Sequence, residues 1–345
     1  MTDVAIIGAA GYAGIELTRL VLGHPRLRLN AVTSRGDAGA RIDEVYPALS
    51  GLSDLRYEEP DVARIASRAS VVFLAVPHTA ALDLAPQLLA AGLSVVDASA
   101  DYRLKDPEVY ERWYGVPHTS PDLLPEAVYG LPEMDRTMLP GARLIACPGC
   151  YPTATLLAAA PALEAGIVAD GPVIVDAKSG VSGAGRSASA ATHYASVNES
   201  VGAYKVCAHR HTPEIEQGLS MLAGRRIAAV FAPHLVPLTR GLLSTVYLRL
   251  DRDITLSEAV ELYQSRYAEE PFITVCGPGS MPTTAHVRGT NRAHIGVAVD
   301  PSGMLVATCV IDNLVKGTAG QAIQCANLAL GFDETEGLTH PAPVI

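Results

Sequence analysis

The chain has 345 residues, a formal net charge of −10 and 49% hydrophobic residues. That length suits two cores rather than one, and an acidic balance with no basic tract excludes nucleic acid as a natural partner. No apolar run reaches the ~18 residues of a membrane span, no secretory leader is expected, and six scattered cysteines do not form a disulfide framework, so a reducing cytoplasm is the expected setting.

Residues 4–7 predict a short apolar strand. Gly8, Gly11 and Gly14 follow at once, and residues 15–22 carry apolar side chains at helical spacing. Strand, glycine turn and helix occur in the order a dinucleotide-binding unit needs: glycines admit the pyrophosphate to the backbone, and the helix start offers it N–H groups. The spacing is GxxGxxG rather than GxGxxG. The second strand, residues 27–33, ends in Ser34 and Arg35 with no acid at its tip. A hydroxyl and a planar cation suit a 2′-phosphate, which predicts NADP(H) over NAD(H).

Residues 71–76 and 94–97 read as buried strands separated by a helix over 82–91, with Pro86 kinking or starting it. The sum is an α/β, Rossmann-type, doubly wound parallel sheet. The turn at Pro77 and His78 falls at its carboxyl edge, where ligands bind in such sheets. Arg103 follows the next strand and is placed at the same edge, suited to hold a phosphate bidentately.

Residues 144–146 predict another buried strand, and residues 155–160 a helix. Between them lie Cys147, Pro148, Gly149, Cys150, Tyr151 and Pro152. Cys150 therefore sits in a tight turn at a helix N-terminus, where unpaired N–H groups and the helix dipole favour a thiolate. A thiolate is a nucleophile, which points to covalent catalysis at carbon.

Beyond it the texture changes. Residues 173–177, 228–232, 243–250, 295–299 and 304–310 predict strands, with a hairpin turn at Pro301, Ser302 and Gly303. A mixed or mostly antiparallel sheet with few helices gives an α+β domain, and residues 321–330 form a last helix packing back on the first domain. Ser179, Gly180, Ser182 and Gly183 form a glycine-rich loop whose N–H groups suit a cofactor; Arg186 adds a cation. His209 and His211 stand two apart, one suited to acid–base work and the other to substrate. Cys147, Cys150, Cys207 and either histidine are zinc-ligand types, but only one CxxC is present, and no metal is expected.

The stretch from Ile145 to Ala154 resembles the active-site signature of the N-acetyl-γ-glutamyl-phosphate reductase family of arginine biosynthesis, in the wider aspartate-semialdehyde dehydrogenase-like group. Matches at Gly8 to Gly14, Thr33 to Arg35, Asp97 to Arg103, Ala208 to Glu214 and Asp312 to Gly317 extend the resemblance over the whole chain. It implies Cys150 as nucleophile and His209 as acid/base, with Arg103, His211 and Arg186 toward the acyl-phosphate substrate. Gly8, Gly11, Tyr12, Gly14, Ser34, Arg35, Ser179, Gly180, Ser182, Gly183 and Asn313 would serve the cofactor, Asn313 at its nicotinamide end. Residues 1–149, completed by 313–345, form the expected NADP-binding domain. Residues 150–312 form the expected catalytic and oligomerisation domain of a dimer or tetramer. The alternatives are the reductase of the aminoadipate route to lysine, whose substrate is one methylene longer, and a non-catalytic NADP-binding redox sensor switching through Cys147 and Cys150.

Overall fold

A computed structural model describes residues 1–343. The chain divides into two compact units, Met1–Gly149 with Thr318–His340, and Cys150–Gly317 with residues 341–343.

The first unit is built on seven strands: β1 (Thr2–Ile7), β2 (Leu27–Thr33), β3 (Tyr57–Glu58), β4 (Val71–Leu74), β5 (Ser94–Asp97), β6 (Val128–Tyr129) and β7 (Leu144–Ala146). All pair in parallel in the order β3-β2-β1-β4-β5-β7-β6. The order reverses between β1 and β4, the switch point of a doubly wound sheet. The continuous apolar runs of β1 and β4 are buried on both faces. The helix after β4 is Ala80–Ala90, with Pro86 inside it. It begins earlier than the sequence indicates because Asp101 caps it from a distance. The Asp101 carboxylate accepts the N–H groups of Thr79 (2.9 Å) and Ala81 (3.0 Å), holding Thr79 in a left-handed conformation, φ 74°.

The returning helix Gly320–Ala329 packs on β5 and on the helix Tyr12–Leu22. His24 fastens it. Its Nε2 bonds to Asn327 Oδ1 at 3.0 Å, while its Nδ1 accepts the N–H groups of Arg26 and Leu27, both at 3.1 Å.

The second unit has a seven-stranded mixed sheet: β8 (Val173–Ser179), β9 (Gly202–Ala203), β10 (Ala229–Leu235), β11 (Leu242–Arg249), β12 (Ile273–Val275), β13 (Ala293–Asp300) and β14 (Met304–Ile311). Their order is β12-β13-β14-β11-β8-β10-β9, with β8/β10 and β12/β13 parallel and the other pairs antiparallel. Three helices, Cys150–Glu164, Thr212–Ala223 and Leu256–Arg266, pack on this sheet. The unit is thus more helical than its sequence indicates.

Cys150–Glu164 is apolar on every side and buried from Tyr151 to Leu163, the mark of a central helix. Pro161 lies inside it and has no N–H for the Leu157 carbonyl. The Tyr267 hydroxyl fills that place, donating to Leu157 O at 2.6 Å. The chain leaves this unit at Gly317, later than the break after residue 312 read from the sequence. Residues 313–317 stay with it because Asn313 Oδ1 accepts the Gly241 N–H (2.8 Å) and Asn313 Nδ2 donates to Ser182 Oγ (2.9 Å).

Candidate active site

Cys150 is the first residue of its helix and is half-buried. The turn before it is built into the parallel sheet: Cys147 N–H donates to Asp97 O at 2.8 Å, beyond the end of β7. Arg103 is buried there. Its Nε donates to Cys147 O (2.7 Å) and its Nη2 to Ala98 O (3.0 Å). The residue expected to grip a phosphate also clamps the backbone ahead of the nucleophile. Its position and charge are legible in sequence; its burial is not. Cys147 is fully buried, and a hydrogen bond with Cys325, together with burial, holds its thiol well above the ordinary range. All six cysteines are thiols.

Behind Cys150 runs a π-helical turn, Val315–Ala319. A Cβ on Gly317 would lie 2.7 Å from Cys150 Cβ and 3.2 Å from its Cα, so only glycine lets the two backbones approach this closely. Asp312 anchors this turn. Fully buried, its carboxylate accepts the N–H groups of Gly289 (2.7 Å) and Leu314 (2.8 Å) and pairs with Arg240 at 3.1 Å. The sequence reading gave none of Asp312, Arg240 or Gly317 an individual role.

The helix Thr212–Ala223 lies against Cys150–Glu164. Gly218 meets Leu156, and the Tyr151 ring meets His211, so both helices start at the same end. The two predicted histidines are brought together there, ring centroids 4.8 Å apart. Lys205 (φ 46°) and Cys207 (φ 55°) take left-handed conformations in the turn that delivers them, a strained geometry for residues with a Cβ. His209 Nδ1 accepts the His211 backbone N–H at 3.1 Å. In the neutral ring the proton is then on Nε2, a donor. Burial, with Lys205 and Arg210 nearby, lowers the His209 pKa to about 4.

The glycine-rich loop after β8 does not offer its N–H groups to a cofactor as expected. Gly180 N–H donates to Gly241 O, Ser182 N–H to Thr239 O and Gly183 N–H to Gly180 O. Ser179 Oγ donates to Gly180 O at 3.1 Å. Asn313, expected at a nicotinamide, is 1% exposed and ties this loop to Gly241. Arg186 is exposed on the loop that follows.

The glycine turn of the first unit has the form expected. Gly8 has φ 85°, and a Cβ there would lie 2.4 Å from Ala75 O; one on Gly14 would lie 2.2 Å from Gly8 O. A Cβ on Gly11 would meet only Gly8 O, at 3.6 Å. Gly11 caps the helix Tyr12–Leu22 with no side-chain hydrogen bond and no acid in the first turn, which leaves a cradle for an anion. Tyr12 opens that helix and is partly exposed. At the tip of β2, Ser34 Oγ donates to Asp37 Oδ2 at 2.9 Å, an acid the sequence reading passed over. Arg35 is exposed and makes no ion pair among the described residues.

A dinucleotide-type sheet followed by a mixed sheet with a cysteine heading its central helix defines the semialdehyde dehydrogenase class. Residues 3–142 match the family described as semialdehyde dehydrogenase, NAD binding domain, and residues 150–313 match semialdehyde dehydrogenase, dimerisation domain. Aspartate semialdehyde dehydrogenase II of Vibrio cholerae, solved in complex with ASA, shares the fold at TM-score 0.71 and 17% identity, over 95% of this chain and 98% of that one. A probable aspartate-semialdehyde dehydrogenase of Pseudomonas aeruginosa does so at 0.70 and 21%, over 95% and 98%. More similar in sequence are the N-acetyl-gamma-glutamyl-phosphate reductases of Halorhodospira halophila, 52% identical over 98% of both chains, and Desulforudis audaxviator, 50% identical over 99% of both. The chain belongs to the N-acetyl-γ-glutamyl-phosphate reductase family.

Proposed function

We propose that this chain reduces N-acetyl-γ-glutamyl phosphate to N-acetylglutamate semialdehyde and phosphate, with NADPH, through a thioester on Cys150. The observation that carries the reading is Cys150 itself, heading a buried helix with two histidines gathered at the same end. The Cys150 thiolate attacks the acyl carbon, the C–S bond forms, and the C–O bond to phosphate breaks with its electron pair. The helix start favours both the thiolate and the oxyanion that precedes phosphate loss. His209, neutral and carrying its proton on Nε2, steadies that oxyanion as a donor. As the acid/base it gives up and regains that Nε2 proton, its pKa lowered to about 4 by burial. His211, the N-cap of its helix, stands beside it toward the substrate.

The cradle of Gly8, Gly11, Tyr12 and Gly14 would hold the pyrophosphate of NADP(H), and Ser34 and Arg35 its 2′-phosphate. Bound NADPH supplies the reducing equivalents that take the acyl group to the aldehyde level. Cys150 departs again as thiolate and ends unchanged. The full-length relatives carry the arginine-pathway name, which disfavours the lysine-pathway substrate. Cys147, buried and hydrogen-bonded to Cys325, disfavours a Cys147–Cys150 switch.

The second unit supplies a surface for a second copy. Register aligns Val230, Ile174, Tyr247, Val306 and Ala298 in one row across five strands, with Ile174 44% and Val230 40% exposed. An apolar row of this kind fits a self-complementary dimer contact. No helix among the described residues is long and apolar enough to cross a membrane, and we assign the enzyme to the cytoplasm.

The test is mass spectrometry of protein mixed with the acyl phosphate and no NADPH. An acyl adduct on Cys150, absent from Cys150→Ser, is expected; absence of any adduct at that residue overturns the thioester.

A further inference from the structure

Tyr151 follows the nucleophile directly, yet it is 2% exposed and cannot reach substrate. Its ring lies edge-on to His209 (centroids 5.6 Å apart), His211 (5.9 Å) and Phe231 (5.2 Å). Tyr204 and Phe231 complete the wall around His209, at 5.5 and 5.4 Å. Edge-to-face contacts of this kind are directional and fix ring tilt. The Tyr151 hydroxyl is fastened in turn: it lies 3.1 Å from Tyr204 Oη and donates to His234 O at 3.4 Å. Tyr204 is itself anchored, its N–H donating to Pro233 O at 3.0 Å. One side chain thus joins the helix that bears the nucleophile, both imidazoles and the end of β10.

We propose that Tyr151 is the positioning residue of this site: its ring sets the tilt and dryness of the two imidazoles relative to Cys150, and its hydroxyl keeps that ring in place. The proposal rests on the acyl-phosphate reductase reading for its kinetic arm and on geometry alone for its spectroscopic arm. A ring that keeps water from His209 keeps the imidazole neutral. Burial also holds the Tyr151 phenol far above its ordinary range, so its hydroxyl stays a donor throughout the working pH.

The experiment compares Tyr151→Phe and Tyr151→Leu with the parent, by steady-state kinetics and by NMR titration of ¹⁵N-labelled imidazoles, His209 being assigned with His209→Gln. In Tyr151→Leu, kcat falls on the order of 10²-fold, as a misplacement of about 1 Å does, while KM changes little. Its His209 titration rises from about 4 toward the ordinary ~6.5. Tyr151→Phe keeps the ring: the titration stays where it was and kcat falls measurably, by several-fold but less than about tenfold, the loss of one hydrogen-bonded anchor. An unmoved His209 titration in a folded Leu variant, or an unchanged kcat in it, overturns the proposal. If the Leu variant does not fold, a Phe variant with parental kcat overturns it instead. Failure of the parent to reduce the acyl phosphate rejects the functional reading and leaves the imidazole titration to decide on Tyr151.

Discussion

Gly317→Ala tests how tightly the returning turn is bound to the nucleophile. The added Cβ would sit 2.7 Å from Cys150 Cβ and 3.3 Å from Ile311 Cδ1. The isoleucine tip can swing away, but Cys150 can yield only by moving its backbone. Ordinary contact begins at about 3.4 Å, so the two must separate by about 0.7 Å. Overpacking of this kind costs about 1–3 kcal/mol of stability. A displacement of that size at a reacting atom costs on the order of 10²-fold in kcat. Gly218→Ala is the matched control. Its Cβ would meet Leu156 Cδ1 and Cδ2 at 2.6 Å, a clash with a side-chain tip further along the same helix that leaves the backbone of Cys150 untouched. The assay is phosphate-dependent NADP⁺ reduction with N-acetylglutamate semialdehyde, alongside urea unfolding of each variant. Both substitutions are expected to lower stability, and Gly317→Ala alone to lower kcat by about two orders of magnitude. Full turnover in Gly317→Ala, or an equal loss in both, refutes the reasoning.

Tyr267→Phe removes the hydroxyl that serves the Leu157 carbonyl opposite Pro161; it should cost about 1–3 kcal/mol in urea unfolding and leave kcat intact. His24 is held neutral, its pKa lowered chiefly by burial, with Nδ1 occupied by two backbone N–H groups. Its unfolded pKa is the higher of the two, so the unfolded chain takes up the proton first as pH falls. Its contribution to stability is present above the ordinary histidine pKa and is lost on acidification toward the folded value. Urea unfolding from pH 7.5 to 5 should therefore show a steeper decline in the parent than in His24→Gln, and equal slopes would exclude His24 as a cause.

The strand, glycine turn and helix of residues 2–22 were legible because their periodicity is local and the glycines carry a backbone requirement. The long strands of the second sheet were legible as apolar runs rich in β-branched residues. Of the two- and three-residue strands only β7, wholly apolar, was read; β3, β6, β9 and β12 were not, since so few residues carry no period. The helices Thr212–Ala223 and Leu256–Arg266 went unread although signals existed: Pro213 opens one, Gly224 ends it, and Thr255 with Glu258 forms a capping box for the other. At the site, Cys150 and the histidines were legible as chemistry. That Arg103, Asn313 and the loop of Gly180 bond to the fold's own backbone was not legible, because a polar residue beside a strand end looks alike whether it faces a ligand or a neighbouring carbonyl. Burial decides between them, and burial is a property of the fold. Tyr151 was passed over for the same reason.

The first unit is split in sequence, whereas almost all of the second is a single stretch, Cys150–Gly317. On the ribosome, residues 1–149 emerge first but lack the helix Gly320–Ala329, in which residues 320–327 are all buried. At ~5–20 residues per second, they wait on the order of ten seconds for that cover while the later-made portion folds. The dinucleotide half, first to be translated, is thus last to close, and during the delay its apolar sheet is a natural client for a chaperone.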